Sequence, residues 1–144
     1  MLLKFHSWPL MRFITLFSIM FLTVFYSYGQ NLIGYRGREI QKYMVENRSD
    51  MNSEIVTNTR FRYLKYSDSS DNQTLLFFIT SDSICKSVRL ICNQNAKAEK
   101  VKEFNSIYKP NGENKWSDKR DGKEYRIEIK DDKWSCTITI EPDK

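Results

Sequence analysis

The chain has 144 residues, of which 40% are hydrophobic and 28% are charged, and its formal net charge is +5. This length supports one domain with a single modest core and excludes a large multidomain assembly. The charge excess is spread along the chain rather than gathered in a basic tail or block, so composition alone indicates no nucleic-acid partner.

Residues 1–29 have the pattern of a secretory signal peptide. Lys4 and Arg12 precede an apolar run over residues 13–25, and small residues near its end suit a cleavage site. A membrane anchor is the alternative, but a span needs about 20 apolar residues and this run is shorter. We therefore expect export to the periplasm or the exterior, with no stable membrane span once the signal is removed. Loss of the two cations leaves 21 basic and 18 acidic residues, a net charge of +3, in a single domain of residues 30–144.

The first predicted element of that domain is a helix that starts near Gly37. Ile40, Tyr43 and Met44 recur there at helical spacing, while polar and charged residues take the solvent side. Three strand-like runs follow a polar stretch, at residues 60–66, 74–80 and 84–92. Their short, turn-rich connections favour an antiparallel meander. The run TLLFFIT is apolar on both faces, which is typical of a central strand with a helix on one side and something else covering the other.

A second helix is expected over residues 95–108, and the Pro-Asn-Gly sequence that begins at Pro110 ends it. Strand-like runs follow at residues 115–118, 123–130 and 133–140. In the last of these runs, alternation puts Trp134 and Cys136 on the apolar face. The expected fold class is α+β, with an antiparallel sheet of about six strands and two helices packed on one face. The expected order is helix, three strands, helix, three strands.

The three cysteines raise the question of a disulfide, a metal site or simple packing. Alternation puts Cys85 and Cys92 on opposite faces of one strand, so these two cannot bridge each other. Cys92 and Cys136 both fall on apolar faces, and they are the pair that a disulfide could join in an oxidising compartment. The favoured interpretation is that the cysteines pack as small hydrophobic side chains.

The residue types that metal or cofactor chemistry needs are sparse in residues 30–144. His6 is the only histidine of the chain and leaves with the signal, and no CxxC spacing occurs. A zinc site and a histidine-activated nucleophile are therefore not expected. The glycines match neither a phosphate-binding loop nor a dinucleotide fingerprint, so we expect no cofactor.

The segment FRYLKY interleaves aromatic and basic residues, a pattern that can stack on single-stranded nucleic acid. The alternative is an edge strand whose charges discourage aggregation. Because the chain is expected to be exported, the edge strand is the preferred interpretation and no nucleic-acid partner is predicted.

Several stretches carry a resemblance to a known family. IGYRGREIQKYM, TLLFFITSDSICKSVRL and WSDKRDGKEYRIEI resemble small exported proteins of Bacteroidetes. This resemblance implies export and brings no catalytic or binding residues with it. More loosely, the element from Ile33 and Gly34 to Glu39, which leads into a helix and then a sheet, is similar to beta-lactamase-inhibitor-like domains and small outer-membrane assembly lipoproteins. That second resemblance implies a fold and nothing further.

The leading functional hypothesis is a non-catalytic domain that binds another protein of the cell envelope through exposed sheet or loop surface. Its support is the expected export, the missing histidine and the missing cofactor motifs. The candidate contact residues are Tyr35, Trp116, Arg126 and Glu128.

Two other classes of function are open. One is a small hydrolase of envelope glycan that uses paired carboxylates such as Glu124 and Glu128. These lie roughly 13 Å apart along one strand, which is too far for either common glycosidase separation. The other is a carrier of an apolar ligand, with a pocket between sheet and helices lined by Phe77, Phe78 and Tyr125. For these aromatic residues a filled core is the preferred interpretation.

Overall fold

The computed structural model describes residues 31–57 and 62–143, without the side chains of residues 55–57. The expected signal peptide and Arg60 lie outside these residues. Two helices and eight strands are present in the described part of the chain. In chain order they are α1 (Gly37–Asn47), β1 (Met51–Thr57), β2 (Arg62–Asp68), β3 (Gln73–Ile79), β4 (Cys85–Asn93), α2 (Lys97–Ile107), β5 (Lys109–Pro110), β6 (Lys115–Arg120), β7 (Lys123–Asp131) and β8 (Ser135–Pro142).

All eight strands belong to one antiparallel sheet, in the order β1-β2-β3-β4-β8-β7-β6-β5. One helix and then four strands occur twice along the described chain, and β4 pairs with β8 to join the two halves. The expected α+β class with an antiparallel sheet is confirmed. The expected six strands, and with them the order helix, three strands, helix, three strands, are wrong.

The two strands that the sequence pattern missed are the outermost ones. β1 has the sequence MNSEIVT, which lacks apolar alternation, yet it pairs with β2 from Met51↔Asp68 to Thr57↔Arg62. β5 has only two residues and pairs with Ser117 and Trp116. Backbone pairing with a neighbouring strand, rather than a side-chain pattern, defines both strands. Pro110 is tolerated in β5 because an edge strand leaves one row of backbone groups unpaired.

Strand alternation gives the sheet two faces of different character. Cross-strand pairing aligns one apolar row across six neighbouring strands, namely Leu64, Phe77, Val88, Ile140, Ile127 and Trp116. We call the face that carries this row the inner face and the opposite one the outer face. Buried side chains of both helices belong to the two cores on the inner face, and Ile140 packs against both cores.

Helix α1 covers the first core. The carboxylate Oε2 of Glu39 accepts a hydrogen bond of 2.7 Å from the backbone N–H of Arg36, which satisfies a donor at the start of the helix. Ile40 and Met44 lie one turn apart and are buried against the inner face together with Phe77. Burial of each such side chain contributes about 1.5–3 kcal/mol of transfer free energy.

Helix α2 covers the second core through aromatic contacts. A 3-10 turn (Gln94–Ala96) precedes it, and the ring of Phe104 meets the rings of Tyr108 and Trp116 edge-on, each at a centroid distance of 5.4 Å. The indole N–H of Trp116 donates a 2.8 Å hydrogen bond to Oδ1 of Asn105. Both helices have 11 residues, and within the described residues no helix is long and apolar enough to cross a bilayer.

Two adjacent phenylalanines of β3 test this assignment of faces. Phe77 is 2% exposed in the first core, whereas Phe78 is half-buried on the outer face. We expect Phe77→Ala to lower the free energy of unfolding by about 3–5 kcal/mol, since it leaves a cavity. Phe78→Ala is the matched control, and it should lower the free energy of unfolding by clearly less. Urea unfolding of both variants measures the difference, and equal losses would contradict the assignment.

Candidate functional site

The outer face of the sheet is the candidate site. Within residues 31–57 and 62–143, both helices pack on the inner face and no helix covers the outer one. One cross-strand row of the outer face runs through Glu54, Lys65, Leu76, Arg89, Thr139, Glu128 and Lys115. The outer face therefore combines apolar, aromatic and charged side chains over adjacent strands.

An aromatic and cationic cluster lies on the β1 side of that face. The rings of Tyr63 and Phe78 are cross-strand neighbours with a centroid distance of 5.9 Å and a tilt of 45°. The guanidinium carbon of Arg89 lies 5.0 Å from the centroid of the Phe78 ring, which is within the range of a cation–π contact. Leu76 lies beside this pair, directly opposite Arg89. We call Tyr63, Leu76, Phe78 and Arg89 the outer-face cluster.

The sequence FRYLKY supplies part of this cluster, but β2 is not an edge strand. β1 pairs with it on one side and β3 on the other, so the expected edge position is wrong. Tyr63 and Lys65 point to the outer face, while Leu64 and Tyr66 belong to the first core. The mixture of aromatic and basic residues thus reflects two faces of an internal strand.

Ion pairs occupy the β7 side of the outer face. Lys115 and Lys130 lie 3.5 Å and 3.3 Å from the carboxylate of Glu128, and Arg126 pairs with Glu141. Burial alone would raise the pKa of Glu128, but hydrogen bonds and the positive charge of Lys130 and Lys115 outweigh it and lower that pKa. The predicted contact residues Arg126 and Glu128 therefore share one face and are already paired within the chain.

The other two predicted contact residues lie elsewhere. Tyr35 is 49% exposed, and its carbonyl accepts a 2.9 Å hydrogen bond from the N–H of Cys85, at the start of β4. Trp116 is 2% exposed in the second core and is not available to a partner. Trp134, which alternation had placed on the apolar face of the last strand, is 76% exposed.

The exposure of Trp134, which the pattern had predicted to be buried, has a local cause. β8 begins at Ser135, and Trp134 belongs to the turn before it, where the N–H of Asp132 donates to the carbonyl of Ser135 at 2.9 Å. The ammonium of Lys133 lies 5.1 Å from the centroid of the Trp134 ring. The Asp-Asp-Lys sequence before Trp134 was the signal of a turn that extends one residue further than the pattern suggested.

The residues of the two other functional classes do not form the sites that those functions need. Glu124 and Glu128 both lie on the outer face, and the lowered pKa of Glu128 is the opposite of what a general acid needs. Phe77 and Tyr125 are buried on the inner face, whereas Phe78 lies on the outer face. These three aromatic side chains therefore do not line one space between sheet and helices.

All three cysteines are buried and unbridged, and all point to the inner face. A β-bulge between β3 and β4 shifts the register so that Ile79 pairs with Cys85. The expectation that Cys85 and Cys92 face opposite sides of their strand is wrong, because the bulge adds one residue to the count. Cys92 and Cys136 are direct cross-strand partners on the central strands β4 and β8.

The thiols have the properties of packed side chains. Burial, reinforced by contact with the Cys136 thiol, raises the pKa of Cys92 to about 12. Burial also raises the pKa of Cys85 to about 11, although a hydrogen bond with the backbone of Ser87 acts in the other direction. Such thiols stay protonated and weakly nucleophilic near neutral pH. Among the described residues, no three His, Cys, Asp or Glu side chains are grouped so as to hold a metal ion.

No family model, curated protein or solved structure matches the chain. The geometry of the outer face is therefore the feature from which a function is inferred.

The state of the cysteines can be read by alkylation. We expect the folded protein to resist alkylation at neutral pH, because the thiols are buried and protonated. After denaturation without reductant, all three cysteines should be alkylated. Mass spectrometry counts the added groups. A single alkylated cysteine per chain would instead establish a disulfide, and Cys92–Cys136 is the pair that the strand register allows.

The raised pKa of Cys85 also predicts a pH dependence of stability. The folded thiol keeps its proton up to about pH 11, whereas an unfolded thiol loses it near its ordinary value of 9.0. The free energy of unfolding should therefore fall as the pH rises above 9.0, by about 1.4 kcal/mol per pH unit for this group. Urea unfolding at pH 8 and pH 10 measures this fall, and the free energy of unfolding should fall less in Cys85→Ala than in the unchanged protein. An identical fall in both proteins would contradict the raised pKa of Cys85.

Proposed function

We propose that this chain is an exported, non-catalytic domain that binds another protein of the cell envelope, and that the outer face of its sheet is the binding surface. The observation that carries the proposal is the outer-face cluster. Tyr63, Leu76 and Phe78 place apolar surface on a face that no helix of the described chain covers. The three side chains are partly exposed, and adjoining apolar side chains on an uncovered face support an interaction site.

The composition of the outer face supports a protein as the ligand. Tyrosine and arginine are enriched among the residues that contribute most to protein–protein binding, and aromatic side chains are enriched at the centres of interfaces. Arg89 and Tyr63 both contact Phe78. The ion pairs of Glu128 and Arg126 lie on β7, which β8 separates from the cluster, as in the polar rim that surrounds such a centre.

The location of the partner follows from the expected signal peptide. A chain exported by residues 1–29 meets its partners in the periplasm, at the membrane surface or outside the cell. A protein of the cell envelope is therefore the partner that we propose.

Two alternative functions have less support. A glycan hydrolase would need a carboxylic acid with a raised pKa, whereas the pKa of Glu128 is lowered by its two lysines. A carrier of an apolar ligand would need space between the sheet and the helices. Phe77, which is 2% exposed, is instead packed into the first core at that place.

Site-specific photo-crosslinking tests the proposed surface. Lys130 is exposed on the outer face, and Lys102 is exposed on helix α2, on the opposite side of the sheet. Each lysine is replaced by p-benzoylphenylalanine in the full chain, expressed in its native host and irradiated. We expect the variant at position 130 to form one defined adduct and the variant at position 102 to form none.

The result is read on denaturing gels, and adducts are identified by mass spectrometry. The variant at position 102 is the matched control, because it also replaces an exposed lysine, on the other side of the sheet. Absence of an adduct at position 130, or the same adducts at both positions, would contradict the proposed surface.

A further inference from the structure

We infer that Arg89 is the anchor of this binding surface and that the partner presents to it a carboxylate of an aspartate or glutamate side chain, next to an apolar side chain. The inference rests on the proposed function, because it names the chemistry of the partner at the same outer face.

The lysines of the cross-strand row each face an acidic partner, whereas Arg89 does not. Lys65 faces Glu54 and forms a 2.9 Å ion pair with it, and Lys115 faces Glu128 at 3.5 Å. Arg89 differs from both lysines, because its direct neighbours on the outer face are Leu76 on β3 and Thr139 on β8. Its guanidinium therefore has no acidic neighbour within its own row.

The acidic residues nearby on the outer face are paired with other cations. Glu141 lies two positions beyond Thr139 on β8, but it pairs with Arg126. Glu128 pairs with Lys115 and Lys130. In the described part of the chain, both carboxylates are therefore paired with other cations, and no carboxylate forms an ion pair with Arg89.

The guanidinium of Arg89 also contacts an aromatic ring of the outer-face cluster. Its guanidinium carbon lies over the Phe78 ring, 5.0 Å from the centroid, and the centroid of the Tyr63 ring lies 5.9 Å from that of Phe78. A guanidinium over a ring can still bind a carboxylate through two N–H hydrogen bonds. Contact with the ring restricts the side chain before a partner binds, so binding loses less conformational entropy.

The surroundings of Arg89 define the rest of the partner's chemistry. Leu76 and Phe78 are half-buried side chains on the neighbouring strand, and Ile91 lies two positions along β4 on the same face. They suit an apolar side chain beside the carboxylate, since apolar contact around a charge pair excludes water and strengthens it. The fitting partner is thus a protein surface with an acidic residue next to an apolar one.

The test compares charge reversal at two positions of the outer face. Arg89→Glu and Lys119→Glu are each introduced into the chain that carries p-benzoylphenylalanine at position 130. Lys119 is exposed on β6 and faces Glu124, so its reversal changes the net charge of the face by the same amount. Arg89→Gln is the neutral variant, and thermal unfolding shows whether each chain is folded.

We expect Arg89→Glu to lower the adduct yield at least about tenfold and Arg89→Gln to lower it less, while Lys119→Glu changes it by less than about twofold. Once the cross-linked peptide of the partner is known, reversal of its acidic residue to arginine should restore the adduct with Arg89→Glu. This rescue distinguishes a direct ion pair from a general effect of charge.

The two proposals fail in different ways. An adduct that is unchanged by Arg89→Glu in a folded chain, or lowered equally by Lys119→Glu, would overturn the role of Arg89 and leave the outer face as the binding surface. Absence of any adduct with arginine at position 89 would overturn both proposals.

Discussion

The antiparallel pairing of β4 with β8 is the constraint on which the rest of the structure depends. It joins two strands that are far apart in the sequence, and it runs from Val88↔Ile140 to Asn93↔Ser135. Without it, each half would be a four-stranded sheet with one helix and an exposed long edge strand. With it, Ile140 packs against both cores, so the two halves support each other.

This pairing also decides the character of the two faces. Both helices lie on the inner face, and strand alternation sends every second side chain to the outer one. β3 is apolar at consecutive positions, and its two phenylalanines therefore lie on different faces: Phe77 in the core and Phe78 against Arg89. A strand with apolar residues on both faces, in a sheet with helices on one face, leaves apolar surface for a partner. The apolar side chains that β3 leaves on the uncovered face are the physical basis of the proposed function.

Much of this architecture could be predicted from the sequence, because it follows from side-chain periodicity. The helical spacing of Ile40 and Met44 and the strict alternation of β7 both reappear in the cores. The remaining features depend on contacts between distant residues. β1 is defined by its pairing with β2, the orientation of Cys85 by a bulge, and the burial of Trp116 by its contact with Phe104. For the site, alternation identified the outer-face positions Arg126 and Glu128, but the stacking of Arg89 on Phe78 needs the register of β3 and β4.

Hydroxyl-radical footprinting with mass spectrometry, on the purified protein and on the protein in its native host, tests the central claim most directly. Our account predicts that Tyr63 and Phe78 are oxidised in the purified protein and protected in the cell, while Trp134 is oxidised in the purified protein and Trp116 is protected in both states. Oxidation of Tyr63 and Phe78 to the same extent in both states would contradict a partner on the outer face. Protection of both residues in the purified protein would contradict an uncovered outer face.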